Sequence, residues 1–241
     1  MPGARRPPGD RLEVADCGDS ALRVVAVASD PEARWSAIQR LAAAVNASPP
    51  PGVWSAVATY DSALIEFDPG VVDHAEVAAA VSALFPGGTA ATASAPTVFT
   101  VPVVYGGAYG PDLEDVARHL GLSVEQVVDA HAGLAHPVRC FSHGAAPMLD
   151  GPGWNGQVPR LSEPRVRVPR GAILVAGRQA MILSREQPSG WRVLGRTPIG
   201  LVDPSQANPV AYRPGDLFQY RRIAPDEWAD HADAFLADFR A

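Results

Sequence analysis

The chain has 241 residues, 47% of them apolar, enough for one large domain or two modest ones. Its net charge of −6 and pI near 5.5 exclude a basic nucleic-acid groove, and no apolar stretch approaches the length of a membrane span. Its two cysteines, Cys17 and Cys140, are too few for a secreted disulfide scaffold, so the cytoplasm is the expected compartment.

Residues 1–10 carry arginines and prolines with no apolar run behind them. They are expected to form a disordered lead-in, not a signal peptide. An N-terminal α/β domain is expected over 11–90. Residues 21–28 read as a buried strand. Residues 31–46 read as a helix: Pro31 suits its first turn, and Trp35, Ile38, Leu41 and Val45 fall on one face. The run SPPPG at 48–52 stops it. Strands follow at 53–59 and 63–67. The next helix spans 73–85, where Asp73 and Glu76 have capping-box spacing and Val77, Val81 and Leu84 form the stripe. Residues 86–96, rich in Gly, Ala and Thr, read as a linker. A strand at 97–104 then completes what looks like a split β-α-β order.

Tyr105 to Asp112 form a Gly/Tyr loop running into a helix N-terminus. Such a loop can offer backbone N–H groups to an anion, or it can simply hold strand against helix. It is not a Walker loop, because no Gly-Lys-Ser/Thr follows. The helix opens at Pro111, carries Asp112, Glu114 and Asp115 at its positive end and stops at Gly121. Ser123 and Gln126 make another capping box, for a short helix ending at His131. After a strand at 138–141 and an irregular loop over 142–164 comes a β-rich block, 165–204. Its short apolar runs alternate with Gly and Pro turns, the pattern of a small barrel or sandwich. A β-barrel domain is therefore expected over 97–224, and a C-terminal amphipathic helix over 225–241, with Trp228, Phe235 and Phe239 on one side. The fold class is α+β.

Candidate site residues cluster in the β-rich block. Arg165 and Arg167 share a face of any extended run. Their guanidinium forks suit carboxylates or phosphates, though an edge strand kept from pairing by charge would look the same. Arg178 belongs to the same arginine set. Arg196, with Thr197 after a Gly195 turn, reads as functional. Gln179 can read an amide with one donor and one acceptor. Trp191 is either a core anchor or a pocket wall. A barrel mouth gathering these groups is the expected site. His131 suits either a helix C-terminus or acid–base chemistry. His131, His136, Cys140 and His143 do not match a zinc spacing, so no metal is expected.

The segments Gly18-Asp-Ser-Ala-Leu22, Tyr60-Asp-Ser-Ala-Leu-Ile-Glu-Phe-Asp-Pro69 and Val101 through Ala117 resemble the KipI / allophanate hydrolase subunit 1 family. The same family is also described as the B subunit of 5-oxoprolinase, or as carboxyltransferase subdomain C/D. Arg165, Val168-Pro169, Ala176-Gly177 with Gln179, Pro188-Ser-Gly-Trp191, Gly195-Arg-Thr-Pro198 and Asp203-Pro204 continue the likeness. The resemblance implies a ferredoxin-like N-terminal domain followed by a cyclophilin-like β-barrel. It implies a companion cyclophilin-like subunit and a third subunit, which together open 5-oxoproline, a lactam, to glutamate with ATP and Mg. On that reading Arg165, Gln179 and Arg196 are the catalytic candidates, and Arg167, Trp191, Thr197 and His131 contact substrate or nucleotide. Two other activities also occur on this resemblance: a KipI-type kinase inhibitor, and the carboxyltransferase module of a biotin-dependent urea carboxylase. One departure stands out. Residues 140–149 read CFSHGAAPML where the family carries a Gly-Phe-x-Pro-Gly-Phe-x-Tyr-Leu run.

Overall fold

A computed structural model describes residues 11–85 and 95–241. The expected lead-in at 1–10 and residues 86–94 of the expected linker lie outside the described residues. The chain divides into two compact units, Met1–Ser94 and Ala95–Ala241.

The first unit is a four-stranded antiparallel sheet under two helices. Its elements are β1 (Arg11–Asp16), β2 (Ala21–Val27), α1 (Pro31–Ala47), β3 (Val53–Ala58), β4 (Ser62–Phe67) and α2 (His74–Leu84), with strand order β1-β2-β4-β3. Asp30 caps α1 by accepting from the Glu32 and Ala33 amides, and Asp73 with Glu76 closes the capping box of α2. Leu22, Val24 and Ala26 of β2 and Ala63, Ile65 and Phe67 of β4 alternate onto the face that both helices cover. Asn46 stitches the end of α1 to β3, giving its amide N–H to Ala56 O and accepting from Ala56 N, both at 2.8 Å. β4 lies between β2 and β3, so β2-α1-β3 is a split β-α-β unit. The outer strand beside β2 is β1, which periodicity does not reveal. The strand expected at 97–104 does not join this sheet; its residues belong to the second unit.

The second unit is a closed barrel of seven strands, in the order β10-β7-β6-β13-β5-β12-β9. In chain order its elements are β5 (Val98–Tyr105), α3 (Leu113–Leu120), α4 (Val124–Ala132), β6 (Ala135–Phe141), β7 (Pro147–Asp150), β8 (Arg165–Val168), β9 (Ala172–Ala176), β10 (Gln179–Ile182), β11 (Gln187–Ser189), β12 (Arg192–Arg196) and β13 (Leu217–Arg222). The core lies inside the barrel, built from Phe99, Val101, Val103, Val138, Leu149, Ile173, Val175, Leu194 and Phe218. β9 is buried at every position because its other side is covered too. Ala172, Leu174 and Ala176 meet Val168, Met181, Leu183 and Trp191 in a separate outer cluster. β8 and β11 form a two-stranded ribbon outside the barrel wall. No helix among the described residues is long and apolar enough to cross a membrane.

The C-terminal segment is not the single amphipathic helix expected over 225–241. It is a 3-10 turn at Pro225–Glu227, a short α5 (Trp228–His231) and another 3-10 turn at Leu236–Phe239. The helical ladder loses to tertiary bonds. Gly200 N–H donates to Ala234 O, and Leu236 N–H donates to Gly200 O, at 2.9 and 2.8 Å. Phe235 is therefore extended and Leu236 turns wholly into the barrel core. Leu236→Ala in the full chain is expected to lower unfolding stability by about 2–5 kcal/mol. A urea midpoint unchanged from the native chain would show that this strap is not part of the folded barrel.

Candidate functional site

The arginines expected to meet at one mouth are held apart by partners of their own. Arg165 places its fork on Asp112: Nη1 donates to Oδ2 and Nη2 to Oδ1, each at 2.7 Å. Asp112 is only 3% exposed and also accepts from Val193 N–H at 2.8 Å, while Arg192 approaches it at 3.9 Å. This carboxylate raises the Arg165 pKa above the ordinary guanidinium value, chiefly through the hydrogen bond. Four amides of the Tyr105–Asp112 loop are already bonded to backbone carbonyls. Gly106 N–H donates to Leu194 O, Tyr109 and Gly110 N–H to Gly106 O, and Asp112 N–H to Val193 O. These bonds tie the loop to β12 as a structural corner.

Arg167 is exposed and faces Glu186 at 3.4 Å. Arg196 donates from Nε to Arg170 O at 2.8 Å and lies 5.1 Å from the Trp228 ring. Burial, with Arg170 adding, lowers its pKa. Thr197 is buried beside it, its hydroxyl without a partner among the described residues. Trp191 is core, packed in the outer cluster under Arg160. Gln179 opens β10, paired with Ala176 and Asp150. The altered loop keeps a left-handed turn through both Gly144 and Ala145, at φ +64° and +57°. At Ala145 the Cβ makes that conformation unfavourable, by about 1–2 kcal/mol. Burial pushes the Cys140 thiol up to about 11, which makes it a poor nucleophile.

What the fold does bring together is a stack of rings at the end of α4. His131 is 0% exposed. Its Nδ1 meets the Tyr105 hydroxyl at 2.8 Å, and its ring stacks on Tyr220 at 4.3 Å between centroids. His136 and Trp154 stand 5.0 and 6.2 Å away. Burial, with the charge of His136 adding, holds His131 well below the usual imidazole value, so it is neutral near pH 7. Burial likewise raises Tyr105 and Tyr220, which stay protonated. His131 Nε2, Tyr220 OH and Trp154 Nε1 are buried with no partner among the described residues. Unpaired polar atoms gathered in one apolar cluster are unfavourable.

His136 fastens this cluster. Its Nδ1 is 2.6 Å from Gly151 O and its Nε2 is 2.7 Å from His131 O. Carbonyls only accept, so the ring satisfies both contacts when both nitrogens carry hydrogen. The loop after β7 is thereby drawn onto α4. Gly153, at φ +92°, comes so near that a Cβ there would stand 2.1 Å from Ala130 O. Beside the cluster opens a cleft of about 410 Å³, lined by His136, Asp150, Trp154, Asn155, Arg178 and neighbours. None of Arg165, Arg167, Gln179, Trp191, Arg196 and Thr197 lines it. Of the residues expected at the site, His131 alone sits in the ring cluster. Nothing in the local spacing marks Tyr105, Tyr220 or Trp154 as its companions. The one sequence signal is a Trp in the Gly-rich run 151–156. Among the described residues no three His, Cys, Asp or Glu side chains come together to hold a metal.

A family model for the carboxyltransferase domain, subdomain C and D, matches residues 12–212. The chain belongs to that family. Its curated relatives include the B subunit of 5-oxoprolinase from Bacillus subtilis (strain 168), 35% identical over 132 residues, which are 54% of this chain and 55% of that protein. The protein of the same name from Escherichia coli O157:H7 is 39% identical over 121 residues, 50% of this chain and 56% of its own. The chain thus aligns with about half the length of the curated relatives it matches. Among solved structures, TTHA0988 aligns with a TM-score of 0.73 and 29% identity over 85% of this chain and 40% of that one. The Kluyveromyces lactis urea carboxylase aligns with a TM-score of 0.76 over 95% of this chain and 24% of that one; at 15% identity the likeness is one of fold.

The geometry makes two predictions. Arg165→Gln leaves Asp112 buried without its fork. It is expected to lower stability by about 2–3 kcal/mol, less than for a fully enclosed pair because Arg165 is partly exposed. An unchanged denaturation midpoint would contradict the structural role. His131 adds a pH dependence. The unfolded chain protonates it near pH 6.5, the ordinary imidazole value, whereas the folded chain keeps it neutral to lower pH. Below about pH 6.5 the unfolded state binds the extra proton, so stability falls as pH falls, by up to ~1.4 kcal/mol per pH unit. Urea unfolding from about pH 7 to pH 5 should show a shallower loss in His131→Gln than in the native chain.

Proposed function

We propose that this chain works as one subunit of an ATP-dependent 5-oxoprolinase-type complex, opening a lactam or small amide such as 5-oxoproline to the open acid. The observation that carries this reading is the set of curated relatives named as the B subunit of 5-oxoprolinase, at 34–39% identity. The ring cluster supports it. A neutral His131, oriented at Nδ1 by Tyr105 and unpaired at Nε2, has the form of a general base. Acting so requires the enclosed Nε2 to be uncovered in the assembled complex, where it could take a proton from water attacking a carbonyl carbon and return it to the departing nitrogen. The complex would include a companion cyclophilin-like subunit and a third subunit. Two unpaired cysteines suit a reducing cytoplasm.

ATP with Mg is the expected co-substrate of the assembled complex. The groups present here make a poor fit for it: the Gly106, Tyr109, Gly110 and Asp112 amides are already bonded and the Arg165 fork is filled by Asp112. We therefore place the nucleotide on another subunit, with Arg165 as a positioning residue for the barrel corner. Arg196, partly exposed over the Trp228 ring, lies where a partner could use it. We also read the first unit as ferredoxin-like with its outer strand moved to the front of the chain, and the barrel as cyclophilin-like.

Co-expression with the companion subunits is the test. A stable complex should hydrolyse ATP only when 5-oxoproline is added and release glutamate, and His131→Gln should cut turnover by at least ~100-fold without dissociating it. Tight binding of a histidine kinase with no turnover would replace this reading with the inhibitor. Carboxyl transfer from a biotin carrier would replace it with the carboxyltransferase.

A further inference from the structure

Arg178 is the tip of a two-residue hairpin, Gly177-Arg178, between β9 and β10. Gly177 takes φ +59°, as the first position of such a turn requires. The turn is pinned on its other side: Val158 N–H donates to Gly177 O at 3.0 Å and Gly177 N–H to Val158 O at 2.7 Å. A held turn presents Arg178 to the cleft that His136, Trp154 and Asn155 also line.

The charges of this cleft do not cancel. Its carboxylate, Asp150, is already taken: Arg139 donates to Oδ2 from Nε at 3.0 Å and from Nη2 at 2.8 Å. Arg178 has no acidic partner among the described residues, although the chain as a whole is acidic. His136 commits both nitrogens to carbonyls and so offers a ligand no hydrogen bond. Trp154 and Asn155 complete the lining, Asn155 with an amide, while the Trp154 Nε1–H is enclosed behind it without a partner among the described residues. Cleft volume is near the lower end for small-ligand sites.

We propose that this cleft binds a small monocarboxylate, anchored in the fork of Arg178 with the Trp154 indole against its organic part. One free guanidinium matches one negative charge, and a planar fork matches a planar carboxylate. The reading of the chain as a lactam-opening subunit is needed only to say which carboxylate is bound in the cell.

The probes are propionate, its uncharged isostere propionamide and inorganic phosphate. Each is titrated into the full chain while the Trp154 indole N–H resonance is followed, assigned with Trp154→Phe. Propionate should shift that resonance, bind at least ~10-fold tighter than propionamide and weaken at least ~10-fold in Arg178→Gln, with Arg178→Lys between the two. Equal binding of propionate and propionamide to the native chain overturns the proposal and needs no variant. So does undiminished propionate binding by Arg178→Gln, or phosphate binding more tightly than propionate. Arg178-dependent propionate binding in a chain whose complex shows no lactam-dependent ATP hydrolysis would retire the proposed function and leave this site standing.

Discussion

His136 joins two carbonyls from separate elements, and the packing around His131 depends on that join. One carbonyl ends α4 at His131; the other belongs to Gly151, after β7. With the ring between them, the 151–156 loop lies on the helix end, Trp154 reaches the His131–Tyr220 stack, and the cleft acquires a wall. A side chain that could not donate from two ends would leave a buried carbonyl unpaired, at about 1–3 kcal/mol. The neutrality of His131 follows from the same join, since burial and a neighbouring charge both disfavour its protonated form.

A second buried polar group does comparable work at the β5 end of the barrel. Asp112 brings together the end of the Gly/Tyr loop, the Val193 amide of β12 and the Arg165 fork from the outer ribbon. A carboxylate this deep is tolerable only when fully bonded. The apparent ligand-binding potential of Arg165 is therefore already used inside the protein, whereas Arg178, equally prominent in the sequence, keeps its fork free. The difference between them is the proximity of an acid, and proximity across 53 residues is a property of the fold.

Much of the local structure is legible in the sequence. Capping pairs Asp73–Glu76 and Ser123–Gln126 mark helix starts through hydrogen bonds between residues three apart, so their signal lies within the chain itself. The β-rich character of 165–204 shows in its short apolar runs. Less is legible where long-range pairing decides. The short β1 needs β2 to be a strand, and the strand near 98–105 could join either unit until its partners β12 and β13 are known. The helix expected over 225–241 has suitable spacing, but Gly200 offers its backbone to residues 234 and 236 and the ladder breaks there.

By itself the sequence determined the family, the helix caps, the turn glycines and the α+β character, because each depends on neighbours in the chain or on motifs read in order. Tertiary structure alone decided which polar groups came together. Trp191 went to the core, Arg165 to Asp112 and Arg196 to Trp228, while His131, Tyr105, Tyr220 and Trp154 converged. Whether a guanidinium or an imidazole is free to meet a ligand depends on which partners the closed barrel sets beside it, and barrel closure is made by strands far apart in the chain.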